Sequence, residues 1–186
     1  DRGVPRWFFQ TYLPSIRHFA DIIFTNSRNT ALDTIQIFGK TIKPEVPIFA
    51  TQLPDEIPVL MDVNAPWKEW ELAGIKQNRY FVCLGTIEPR KNLILAIRGF
   101  IRFLEIFPDK SRDFKLVIVG KKGWNIENVA LTKEIQKHSS YFHFTGYLPK
   151  LKIEQILIHS QALLMPSRYE GYGMPLTLAR EFGIPI

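Results

Sequence analysis

The sequence predicts an α/β fold in which helices cover both faces of a parallel sheet. Three observations lead there. Short runs such as "YFVCLG", "FKLVIVG" and "ALLMPS" are apolar throughout rather than alternating, as strands buried on both faces are. Amphipathic helical segments separate these runs, the clearest being "KNLILAIRGFIRFLEIF". The connections that leave the runs are short and rich in glycine, proline and basic residues, which suits repeated strand-to-helix turns.

Taken in order, residues 1–52 read as helix, strand, helix, strand. The aromatic, basic opening "PRWFFQTYLPSIRHF" could lie on a membrane surface, but Pro14 interrupts it and a core-facing helix is the preferred reading. "DIIFT", Asp21 to Thr25, is a short apolar strand. Ser27 can cap a helix whose apolar positions Ala31, Ile35 and Phe38 recur at helical spacing, with Gly39 ending it. "VPIFAT" reads as a second buried strand. Residues 53–68, "LPDEIPVLMDVNAPWK", carry three prolines and little periodicity, and read as a linker. "EWELAGIKQNR" after them reads as a helix, so that the crossing segment spans 53–78.

Over residues 79–186 the alternation becomes regular. "YFVCLG" is a strand, followed by a helix with Asn92 as N-cap and Leu93, Ala96, Ile97, Phe100, Ile101 and Leu104 on its apolar face. "FKLVIVG" is the next strand, then the loop "KKGWN" and a helix to about His138. "YFHFTG" is a strand, "PKLKIEQILIHS" a helix and "ALLMPS" a strand. A last helix ends at Gly183, with Pro185 just beyond. The pattern is that of a Rossmann-like sheet. The closing "FGIPI" is apolar in the manner of a strand that opens rather than a fold that closes, so a fragment of a longer protein is expected.

Composition narrows the function classes. The chain has 186 residues, 46% of them hydrophobic and 23% charged, enough apolar surface for a packed core and too much for wholesale disorder. No apolar run reaches the roughly 18 to 20 residues that cross a bilayer as a helix. The formal charge of +6 suggests an acidic partner: nucleic acid, a phosphorylated metabolite or an anionic membrane. The single cysteine, Cys83, excludes an internal disulfide and reads as a small buried residue, which favours a cytosolic setting. His18, His138, His143 and His159 are scattered without ligand spacing, so a protein-bound metal is not expected.

In a parallel sheet, ligands bind at the carboxyl ends of the strands. Those loops here read "GTIEPRKN", "GKKGWN", "TGYLPK" and "PSRYEGYGMP". Arg90 and Lys91 lie between a strand and a helix start, where cations add charge-assisted contacts to an anion; on spacing alone they could equally be solvated surface. Lys121 and Lys122 are weaker candidates. Neither GxGxxG nor GxxxxGK[ST] is present. In "PSRYEGYGMP", Pro175 fits the first turn of a helix, and Gly171 and Gly173 leave the backbone N–H groups from Gly171 to Met174 sterically open. Glu170 cannot bind phosphate, but a carboxylate matches two neighbouring sugar hydroxyls. A phosphate at one end and a polyol at the other describe a nucleotide sugar. A solvent-exposed turn residue is the plain alternative for Glu170.

These motifs resemble glycosyltransferase family 4, the retaining enzymes with a two-domain GT-B fold. The family pattern PS-x-x-EG-[FY]-G-x-P reads "PSRYEGYGMP" from Pro166 to Pro175, and its strand-to-helix signature reads "LGTIEPRKN" from Leu84 to Asn92. "TGYLPKLKIEQIL" and "ADIIFTNSRNT" are similar to further family segments, in order over nearly the whole chain. The resemblance implies the donor-binding half of a GT-B enzyme, with residues 1–52 a remnant of the acceptor-side domain and 79–186 a truncated nucleotide-sugar-binding domain. It implies that Lys91 and Arg90 hold the diphosphate, that Glu170 contacts the donor sugar, and that the backbone from Gly171 through Tyr172 and Gly173 to Met174 assists. Gly85 and Thr86 would line the donor site, and Gly146, Tyr147 and Leu148 would lie beside the nucleobase.

A UDP- or GDP-hexose donor, a saccharide or lipid-linked acceptor, and no metal or other cofactor follow from the same resemblance, with work in the cytoplasm or at the inner membrane face. Two positions depart from the pattern. Leu178 stands where the family has a second Glu, eight residues after the first, with Glu181 nearby, and Thr86 stands where Arg is frequent. Both weaken donor contacts and imply an altered donor or lost activity. Two readings follow: a hexosyltransferase, inactive as an isolated fragment, or a catalytically silent nucleotide-sugar or carbohydrate-binding module. A nucleic-acid binder is disfavoured, because the basic residues sit in separate loops rather than a stripe.

Overall fold

The structure is a computed structural model that describes residues 19–38, 47–50, 67–121 and 129–186. The expected opening helix before residue 19, the helix stop at Gly39, most of the proline-rich crossing and the loop Lys122–Asn125 lie outside the described residues. The chain divides into two compact units, Asp1–Asp55 and Glu56–Ile186.

In the first unit, strands β1 (Ile23–Thr25) and β2 (Ile48–Ala50) pair in parallel, with helix α1 (Arg28–Phe38) between them in sequence. Ser27 caps α1 as expected, its Oγ accepting the Thr30 N–H at 3.1 Å. The second strand differs from expectation: it is not buried. Phe24 and Phe49 are register partners on one exposed face, stacked at 5.7 Å. Ile35 of α1 is also exposed. An apolar run reads as a buried strand only if both faces find cover, and among the described residues α1 is what packs on this pair.

The second unit is built on a four-stranded parallel sheet in the order β5-β4-β3-β6, with β3 Tyr80–Leu84, β4 Lys115–Val119, β5 Phe142–Gly146 and β6 Ala162–Leu163. Its helices are α2 (Lys68–Leu72), α3 (Leu93–Ile106), α4 (Pro108–Ser111), α5 (Val129–Lys137), α6 (Lys150–Ile158) and α7 (Met174–Glu181). Period-two alternation divides the strand residues between two apolar clusters. Tyr80, Val82, Val117 and Val119 join Trp67, Trp70, Ile156, Leu157 and Ala179. Cys83, Leu116 and Ile118 join Ala96, Ile97, Phe100, Leu104 and Phe142. Both faces are therefore buried, which is why these strands are apolar throughout. Burial pushes the Cys83 thiol up to about 12.

Three local expectations change. Residues 67–78, read as part of the crossing, belong by packing to this unit: Trp67 Nε1 donates to the Ile75 carbonyl and Trp70 Nε1 to Gln155 Oε1, each at 3.0 Å. The helix there is only α2, because Gly74 turns the chain at φ 71°. Asn92 precedes α3 without capping it: it adopts left-handed backbone (φ 51°, ψ 38°), and its Nδ2 donates instead to the Pro166 carbonyl at 3.2 Å. The last strand, β6, keeps two residues of the ladder before the chain turns into the loop that follows it. Helix α7 ends as expected at Gly183: the Gly183 and Ile184 N–H groups reach the carbonyls of Arg180 (3.0 Å) and Ala179 (2.9 Å), closing its last turn.

Candidate functional site

The carboxyl ends of β3, β4 and β5 run out at Gly85, Gly120 and Gly146. These ends are laced together: Gly85 N–H donates to Val119 and Gly120 N–H to Gly146, both at 2.9 Å, and Ile87 N–H to Lys121 at 3.0 Å. A Cβ on Gly120, whose φ is 156°, would stand 1.9 Å from the Gly85 carbonyl oxygen, so no other residue permits this approach. At Gly85, with φ 125°, a Cβ would come within 3.2 Å of Lys91 Cε; glycine leaves the path that the Lys91 stem follows.

Beyond Gly85 the chain passes Thr86 and Glu88 into a 3-10 turn, Pro89–Lys91, whose geometry turns both basic side chains toward the loop after β6. The two loops are stitched by their backbones as well. Arg168 N–H donates to the Arg90 carbonyl at 2.8 Å, and Asn92 Nδ2 to Pro166. A small cleft between them is lined by Gly85, Thr86, Lys91, Pro166 and Ser167.

Glu170 lies at the centre of the charged groups. Lys91 Nζ donates to its Oε1 at 2.8 Å and to its Oε2 at 3.0 Å. Arg90 Nη1 donates to Oε2 at 3.0 Å and to the Tyr169 carbonyl at 3.2 Å, while Arg90 Nε contacts Glu88 Oε1 at 2.6 Å. The Lys91 and Glu170 side chains are 14% and 18% exposed, so this pair is sheltered rather than a solvated surface bridge. Partial burial on its own raises the Glu170 carboxyl. The Lys91 hydrogen bonds, the neighbouring Ser167 hydroxyl, the Lys91 charge and Arg90 outweigh it, and the group is held below its ordinary value. Ser167 Oγ is itself buried, beside this carboxylate. A carboxylate beside two cations thus satisfies them when no other anion is bound.

Of the residues singled out from the sequence, Arg90, Lys91 and Glu170 form one cluster, with Gly85 and Thr86 beside them in the cleft. Gly173, at φ 87°, starts α7, with Pro175 in its first turn as expected. Tyr172, on the same loop as Glu170 and Gly171, and Met174, the first residue of α7, are both exposed. Leu178, on α7, is partly buried and packs against the core cluster of Tyr80 and Ala179. Glu181 lies 4.0 Å from Arg180. On the β5 loop, beside Gly146, Tyr147 is 69% exposed with Lys121 Nζ 4.9 Å over its ring, and Leu148 turns into the core. Lys122 lies outside the described residues. Sequence reasoning missed Glu88, Ser167 and the true role of Asn92. The signal for Glu88 was within reach, because an acid two residues before an arginine in a turn can grip its Nε.

Residues 68–186 match the family described as glycosyl transferases group 1. The chain is 27% identical over 131 residues to the O-antigen chain mannosyltransferase B of Escherichia coli, a match covering 70% of this chain and 31% of that protein. It is 28% identical over 160 residues to the serotype-specific mannosyltransferase WbdA of Escherichia coli, covering 83% of this chain and 17% of the other. The chain thus spans about a third or less of the length of these two relatives. Among solved structures, HepE of Anabaena in complex with UDP and glucose is similar with a TM-score of 0.69 at 16% identity, covering 98% of this chain and 48% of that one. The likeness bears on fold, and the α/β parallel sheet with GT-B glycosyltransferases as structural neighbours agrees with the fold expected from the sequence.

Proposed function

Because this chain belongs to the glycosyl transferases group 1 family, we propose that it forms the donor-binding part of a hexosyltransferase acting from a nucleotide sugar. The observation that carries this reading is the joint placement of Lys91 and Arg90 against Glu170 at the carboxyl ends of β3 and β6. The Lys91 ammonium, mostly sheltered, takes up negative charge on the departing diphosphate, with Arg90 beside it. Preorganised cations in a partly dry site do this without a metal ion. Glu170 accepts hydrogen bonds from hydroxyls of the transferred sugar. Tyr147, exposed under Lys121, offers a face for the nucleobase.

A mannosyl or glucosyl donor carried on UDP or GDP is supported by the mannosyltransferase relatives and by the UDP and glucose named with HepE. A saccharide or lipid-linked acceptor, transfer with retention of anomeric configuration, and a cytoplasmic place of work at the inner membrane face complete the proposal. The retaining outcome rests on the family motif and the cytoplasmic setting on the single buried cysteine. Calorimetric titration of the chain with UDP-glucose and GDP-mannose tests the donor site, with Lys91→Ala expected to abolish the heat. Binding of either donor that ignores Lys91 and Glu170 sinks it. For turnover, the full-length protein is assayed and the product anomer read by proton NMR.

The second reading, a silent nucleotide-sugar-binding module, is favoured by one observation: Leu178, at the family's second acidic position, is apolar and packs, partly buried, against the core. It predicts donor binding by the full-length protein without transfer or donor hydrolysis.

A further inference from the structure

The cluster around Glu170 balances its own charge. Glu88 and Glu170 face Arg90 and Lys91 through contacts of 2.6, 3.0 and 2.8 Å. An arriving diphosphate therefore meets cations that are already satisfied, and a sheltered carboxylate between them repels it. Parting the loops to make room would break the hydrogen bonds of Arg168 to the Arg90 backbone and of Asn92 to Pro166.

We propose that Glu170 is a tethered competitor for the diphosphate position, through which the site distinguishes an intact nucleotide sugar from the bare diphosphate left after transfer. This rests on the glycosyltransferase reading above and adds a discriminating role to its acid. A nucleotide sugar that draws Lys91 and Arg90 onto its phosphates brings hydroxyl donors, and these take over the Glu170 oxygens. A nucleoside diphosphate brings no such donors at that end. It would have to strip Lys91 and Arg90 from a carboxylate that is largely sheltered, leaving that charge without its partners. Once the sugar has departed, Glu170 returns to Lys91 and Arg90 and displaces the spent diphosphate. The buried Ser167 hydroxyl lines the same cleft and can donate to whichever anion occupies it, Glu170 included.

The alternative is a purely structural ion pair that ties the two loops. Titration with inorganic pyrophosphate, which needs neither base nor sugar, separates the two. Glu170→Gln, which keeps the shape and removes the charge, is expected to bind pyrophosphate about tenfold more tightly or better. Glu170→Ala should do the same, and adding Lys91→Ala should erase the gain. UDP-glucose and GDP-mannose should show no matching gain. A folded Glu170→Gln, checked by thermal melting, that binds pyrophosphate no better than the original overturns the proposal. If Lys91→Ala still abolishes pyrophosphate binding in that case, the glycosyltransferase reading survives alone. Failure of pyrophosphate and both donors to bind any variant removes both. A readout that needs no variant is the order of affinities in the unaltered chain. Nucleotide sugar should bind ahead of the corresponding nucleoside diphosphate, and the reverse order overturns the competitor.

Discussion

Replacing Lys91 by methionine keeps most of the stem that runs past Gly85 and removes the charge. A charged hydrogen bond of this kind contributes about 1.5–3 kcal/mol, so donor affinity should fall roughly 10- to 100-fold in a calorimetric titration. Glu170 gives a pH prediction with a definite sign. Its folded-state pKa is depressed, so its contribution to stability is present above the ordinary glutamate value of about 4.3 and is lost as pH falls through the depressed one. Denaturant midpoints measured from pH 6 to pH 3 should decline more steeply for the original chain than for Glu170→Gln. Gly120→Ala is the severe case, since its Cβ would meet the Gly85 carbonyl. A loss of about 3 kcal/mol in urea unfolding is expected, with strain and displacement combined. At this scale the sequence revealed identities better than contacts. Lys91 and Glu170 stood out by type and motif, whereas their direct pairing spans 79 residues of chain and no local pattern encodes it.

Among the elements, α3 was legible because its apolar face repeats with helical period and meets one buried cluster. Its start was misread, since Asn before an apolar helix ordinarily signals a cap. Here left-handed backbone at Asn92 aims the amide across to Pro166. Substitution separates the two roles. Aspartate is as good a cap as asparagine, yet it has no N–H to donate, so Asn92→Asp should destabilise by about 1–2 kcal/mol in urea melts. Glycine, which tolerates the backbone, should be milder than alanine. A cap would leave Asn92→Asp unchanged. The exposure of β2 was hidden for another reason: apolarity records a tendency to be covered, and Phe49 does not name what would cover it.

At the level of the whole chain, the parallel sheet followed from continuous apolar runs. What stayed hidden was how early the second unit begins, because Trp67 and Trp70 sit beside a proline-rich stretch yet bury themselves against Tyr80 and Gln155. With a core closed on both faces of its sheet, a polypeptide of residues 56–186 is expected to unfold in one cooperative urea transition, and a broad, stepwise curve would contradict it. The brevity of β6 has a kinetic consequence. Its ladder pairs only Ala162 and Leu163 with β3, and the whole Glu170 loop hangs from that edge. Local opening there, well below the energy of global unfolding, would scatter the charged cluster while the rest of the sheet stays intact. The amides of Leu164 and Arg168, bonded to Val82 and Arg90, should therefore exchange with deuterium sooner than those of β4, and slow down when ligand is bound.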